Sequence, residues 1–137
     1  MKRILLFILG IGLTAIVAEA HHSIAGAYDT NRKITIEGMV VQFHFVNPHP
    51  FLMMDVKQDG GGLQQWRLEM DNRSELSQVG MNADTLKPGD RVVVTGSPAR
   101  EQSQSLYIQK LDRPADGFQY EQVGNSPRIT RAPRQEE

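Results

Sequence analysis

The chain of 137 residues contains no cysteine, which excludes disulfides and thiolate metal centres. It has no excess of positive charge either. Fifteen basic side chains face 16 acidic ones, for a formal charge of −1. That is not the balance of a nucleic-acid binder. No phosphate-cradling loop is present, because Gly60–Gly62 is not followed by Lys-Ser/Thr and opens no helix. No nucleophile elbow, His-x-x-x-His or His-Glu-x-x-His spacing occurs. A Ser-His-Asp triad would have to take its histidine from the few near the start of the chain. Only one apolar run is long enough to consider, Ile4 to Ala18, and it falls short of the about 20 residues that span a bilayer.

That run has a specific setting. Lys2 and Arg3 precede it, and the small-x-small triplet Ala18-Glu19-Ala20 follows. The order of parts reads as a secretory signal peptide over residues 1–20, cleaved to leave a mature chain starting at His21. No cysteine follows the run, so a lipid-anchored form is excluded. The expectation is a periplasmic or secreted protein, not held in the membrane after cleavage. Losing Lys2, Arg3 and Glu19 brings the charge to −2. The remaining 117 residues suit one domain with a modest core.

Along the mature chain, residues 21–33 read as an irregular arm. ITIEGMVVQFHFV is rich in β-branched and aromatic residues and reads as a strand. Ile34 and Ile36 hold one apolar parity; after Gly38 it shifts to Val41, Phe43 and Phe45. A phase slip at a glycine predicts a bulge or sharp bend there. Asn47-Pro48-His49-Pro50 breaks the strand into a turn. FLMMDVKQ and LQQWRLEM are strands joined through Asp59 to Gly62. A short helix is expected around Ser74, Leu76 and Val79, ending near Gly80. Leu86 to Asp90 is a turn, RVVVTG a fourth strand and SLYIQKL a fifth. Residues 113–137, polar and with three prolines, read as a flexible tail. The result is an all-β expectation: residues 34–112 form a small five-stranded OB-like Greek-key barrel, with one short helix between strands 3 and 4.

All four histidines, His21, His22, His44 and His49, fall between residues 21 and 49. A cleaved His21 would offer an α-amine and an imidazole within one chelate ring. A second imidazole would complete a T-shaped all-nitrogen set, which suits a copper ion. His49, in a proline-stiffened turn, is the natural partner, and His22 an alternative ligand. His44, Met53 and Glu69 point outward by parity and are candidate additional ligands or supporting groups. The leading expectation is thus a metal-binding protein for copper, acting in binding, delivery or buffering, with another periplasmic protein as a candidate partner. The alternative is an OB-type module that recognises a peptide, glycan or protein through Phe51, Gln65, Arg67 and Tyr107. A copper-dependent oxidative enzyme is a third reading, weakened by the short chain and the lack of a broad aromatic platform.

Four motifs occur in order: His21-His22-Ser23, Asn47-Pro48-His49, the Trp66-x-x-Glu69 strand and Leu86-Lys87-Pro88-Gly89-Asp90. In these the chain resembles a family of small exported bacterial proteins known as a domain of unknown function, over about residues 21–112. The resemblance implies export and a common fold, and it makes His21, His22 and His49 motif positions that recur together. The chain departs from it where His44 stands in place of an aromatic residue and where Met81 lies near an expected Trp.

Overall fold

The computed structural model describes residues 24–131. Its elements run α1 (Ile24–Ala27, a single turn), β1 (Ile34–His44), β2 (Phe51–Lys57), β3 (Leu63–Glu69), α2 (Arg73–Gln78), β4 (Arg91–Pro98), β5 (Ser105–Arg113), β6 (Phe118–Val123) and β7 (Ser126–Thr130). The sheet order is β3-β2-β1-β4-β5-β6-β7, and β3 also pairs with β5. That last pairing is parallel and closes the first five strands into an OB-like barrel.

The long first strand makes closure possible. Its first half, Ile34 to Met39, pairs with β4, and its second half, Met39 to His44, pairs with β2. The bulge that allows this bend lies between Val40 and Gln42, not at Gly38. Val41 is the extra residue and stays exposed, whereas Val40 enters the core. Phe43 and Phe45 then pack against the core as their parity predicts. Gly38 serves another purpose: a side chain there would collide with the Asp55 carbonyl of β2. The Leu86–Asp90 turn locks the bulge from outside. Val40 N–H donates to the Asp90 carbonyl and Gly89 N–H to the Val40 carbonyl, both at 2.8 Å.

Alternation fills the interior. Leu52 and Met54 from β2, Leu68 from β3, Val92 and Val94 from β4, and Leu106, Ile108 and Leu111 from β5 are fully buried. The expected helix is α2. Asn72 caps it by accepting from Glu75 N–H, Leu76 is its buried residue, and Gly80 ends it with φ +95°.

One expectation is corrected. The chain beyond Arg113 is no tail over residues 118–130, where β6 and β7 form a hairpin paired to β5. Phe118 and Tyr120 from it are core residues, so the barrel domain extends well past residue 112. Residues 24–33, read as an irregular arm, are docked on the barrel. Tyr28 bridges to Ala99, Asp29 N–H donates to Pro98 C=O, and Arg100 N–H donates to Ala27 C=O. The segment is strapped across the β4–β5 connection.

Candidate binding face and histidine turn

On the outside of β1, β2 and β3, side chains whose neighbours point inward must point outward. Register places His44 opposite Phe51, and Phe51 opposite Glu69. One row along, Gln42 faces Met53, and Met53 faces Arg67. The side chains close into a layered stack. The His44 and Phe51 rings are 4.3 Å apart and inclined by 16°. The Arg67 guanidinium carbon sits 4.1 Å from the Phe51 centroid. Because β2 lies between β1 and β3, Phe51 takes an imidazole on one side and a guanidinium on the other. A cation over a partly exposed ring contributes about 0.5–1 kcal/mol, which favours this placement of the arginine.

Glu69 borders this stack, and its Oε2 has two donors. Tyr28 Oη donates at 2.6 Å and Arg67 Nη1 at 3.4 Å. Burial, and then the bond to Glu69, push the Tyr28 hydroxyl well above the usual tyrosine range, so it remains a donor. Tyr28 also covers Tyr107, with ring centroids 5.7 Å apart. Tyr107 is therefore only 7% exposed, which corrects its expected place on an open binding face. Burial is the main reason its hydroxyl too is pushed up, with the charges of Asp71, Glu69 and Glu75 adding to the effect. Phe51, Gln65 and Arg67 lie on one side of the β2–β3 pair. Tyr28 was not foreseen, since its role depends on a pairing with Ala99 across 71 residues. Its only local signal is the one aromatic ring between residues 24 and 33.

His49 occupies the β1–β2 turn, which contains a cis Asn47–Pro48 bond. Arg73 fastens the turn. Its N–H donates to Pro48 C=O, its Nε to Phe45 C=O, and its guanidinium lies 5.2 Å from the Phe45 ring. Met70 N–H donates to Pro50 C=O, and His49 Nδ1 lies 3.2 Å from Met70 C=O. A carbonyl can only accept, so Nδ1 carries the hydrogen. Neutral His49 is thereby fixed in the tautomer whose Nε2 has the free lone pair.

His21 and His22 lie outside the described residues. Among the described residues no group of three or more His, Asp or Glu side chains is placed to hold a metal ion. His44 is engaged with Phe51, Glu69 with Tyr28 and Arg67, and Met53 lies half-buried between Gln42 and Arg67. A groove of about 490 Å³ lies between the 24–33 segment and strands β5 and β6, lined among others by Ile24, Tyr107, Gln109 and Gln122. Gln122 Nε2 donates to Asp71 Oδ2 at 2.6 Å, directly after the residue that holds His49.

A family model described as "Family of unknown function (DUF6152)" matches residues 10–107, more than half of the chain. The chain belongs to that family. The match ends within β5, so the β6–β7 hairpin lies beyond it. No curated protein matches the chain. Among solved structures, TiaS in its complex with an isoleucine tRNA and ATP is similar at 16% identity and a TM-score of 0.44, covering 77% of this chain and 29% of that one. The N-terminal domain of PriB from Thermoanaerobacter tencongensis is similar at 16% identity and a TM-score of 0.38, covering 76% of this chain and 99% of that one.

Proposed function

We propose that this DUF6152 member is an exported OB-type binding module that takes a polar partner on the outer face of β1–β3. The ordered stack of His44, Phe51 and Arg67 carries this reading. Side chains already fixed in place lose little entropy when a partner docks. Nuclear magnetic resonance titrations with short peptides and oligosaccharides test it. Shifts should cluster at His44, Phe51, Met53, Gln65 and Arg67 and vanish in Phe51→Ala. Shifts confined to other surfaces would overturn it.

A second reading follows from the His49 tautomer. We infer a copper site in which the freed His21 supplies amine and imidazole and His49 supplies Nε2, with His22 as alternative. The strapped segment supports it. Ile24 sits at the groove that Gln122 also lines, and Gln122 touches Asp71 beside Met70. Three residues before Ile24 extend up to about 10 Å. Titration of the mature protein with Cu(II) is the test. His49→Ala, or one residue added before His21, should each weaken binding by about tenfold or more. Affinity should also fall as pH is lowered, because protons compete for the same nitrogens. Unchanged affinity in either variant would remove the proposed site.

A further inference from the structure

We infer that the β1–β3 face receives an extended peptide segment through a single carboxylate seated on Arg67, flanked by uncharged residues. The inference rests on the binding-face reading above and names the partner of that site. Its first support is what the stack denies. Phe51 is the one aromatic ring at the centre of the face, and it has His44 on one side and Arg67 on the other. Neither side of the ring is open as a platform for a sugar or a base, so recognition falls to the polar edges.

Of these, Arg67 has the most to offer. Its side chain is 42% exposed, and its one hydrogen bond among the described residues is the long Nη1 contact to Glu69. Nε and Nη2 have no partner among them. A guanidinium held over a ring, with two donors free, fits the two oxygens of a carboxylate. Glu69 does not fill that role, because its stronger bond is to Tyr28 and it is only 19% exposed. The exposed amide of Gln65 stands two residues along β3 and that of Gln42 lies across Met53 on β1, and both can serve a peptide main chain.

The neighbouring rows set the charge limit. Asp55 stands opposite Gln65, one row beyond Arg67, and Glu69 lies one row to the other side. A carboxylate on Arg67 is attracted; further carboxylates on its flanks would meet Asp55 and Glu69. A single anion in neutral surroundings is therefore preferred over an acidic run.

The experiment uses unlabelled, N-acetylated and C-terminally amidated peptides of serine, glycine and threonine carrying one central glutamate. Isothermal titration on the whole protein should show binding that weakens about tenfold when that glutamate becomes glutamine. Arg67→Lys should weaken it about as much, since a lysine offers a point charge without the fork. Its unfolding midpoint should stay close to wild type. An all-glutamate peptide should bind no better than the single-glutamate one, and acetate should not compete at equal concentration. Equal binding of the glutamate and glutamine peptides, abolished by Phe51→Ala, overturns the carboxylate inference and leaves the face reading standing. Tighter binding of the all-glutamate peptide overturns it as well, in favour of unspecific charge attraction. Absence of any peptide or oligosaccharide at the face removes both.

Discussion

Gly96 lies so close beneath β5 that a methyl group on it would strike the Tyr107 carbonyl. Backbone cannot step aside as a side-chain end can, so Gly96→Ala should cost about 3 kcal/mol or more, read from urea unfolding. Tyr28 makes a different kind of single-residue contribution. Its hydroxyl donates to a carboxylate at 2.6 Å, and its ring seals Tyr107. Tyr28→Phe keeps the ring and removes the donor. The expected loss is about 2 kcal/mol, with Arg67 and Glu69 resonances shifting as the carboxylate loses its main partner. Neither residue's importance shows in composition or periodicity. Gly96 sits inside an apolar strand where a glycine reads as a weak point, and the Tyr28 contact spans 41 residues.

At the scale of elements, the β6–β7 hairpin decides whether the barrel is complete without its last residues. Phe118 and Tyr120 are fully buried in the same core as the β-strands of the barrel. Phe118→Ala should cost about 3–5 kcal/mol, and a chain ending at Arg113 should lose its cooperative thermal transition by circular dichroism. The hairpin left a trace in the sequence. Phe118, Tyr120 and Gln122 alternate, and Gly124-Asn125 is a two-residue connection of hairpin type, with Gly124 at φ +58°. The polar neighbours and Pro127 hid it, because only one side of this hairpin is covered and proline is tolerated where a strand is not fully paired. The barrel strands were legible for the opposite reason: their inner positions are mostly large and apolar, so period two stands out. The bent first strand was legible from its change of parity, but the position of the bulge was not. A shift of apolar parity says that a residue is inserted; it does not say whether Gly38 or Val41 is the one left over. The face was partly legible, since Phe51, Gln65 and Arg67 follow from parity. The stacking of His44 on Phe51 depends on register across the turn, which no local pattern encodes.

For the molecule as a whole, three buried tyrosines set a limit at alkaline pH. Burial is the leading cause that pushes the hydroxyls of Tyr28, Tyr107 and Tyr120 above the ordinary range. The folded chain keeps these protons where the unfolded chain has released them. Their contribution is thus complete below about pH 10 and is lost as pH rises beyond it. With three such groups the slope approaches about 4 kcal/mol per pH unit, to be checked by urea midpoints between about pH 8 and about pH 11. The parallel seam has a consequence of its own. It joins β3 to β5 through Arg67–Ser105, Leu68–Leu106 and Glu69–Tyr107, the shortest of the joints that close the cylinder. Two of the three residues on its β3 side are the charged pair of the outer surface. Whatever settles on Arg67 also clamps the place where the cylinder can most readily come unbuttoned. Occupancy should therefore slow amide exchange at Leu106 and Tyr107, inside the wall, where no visitor can reach.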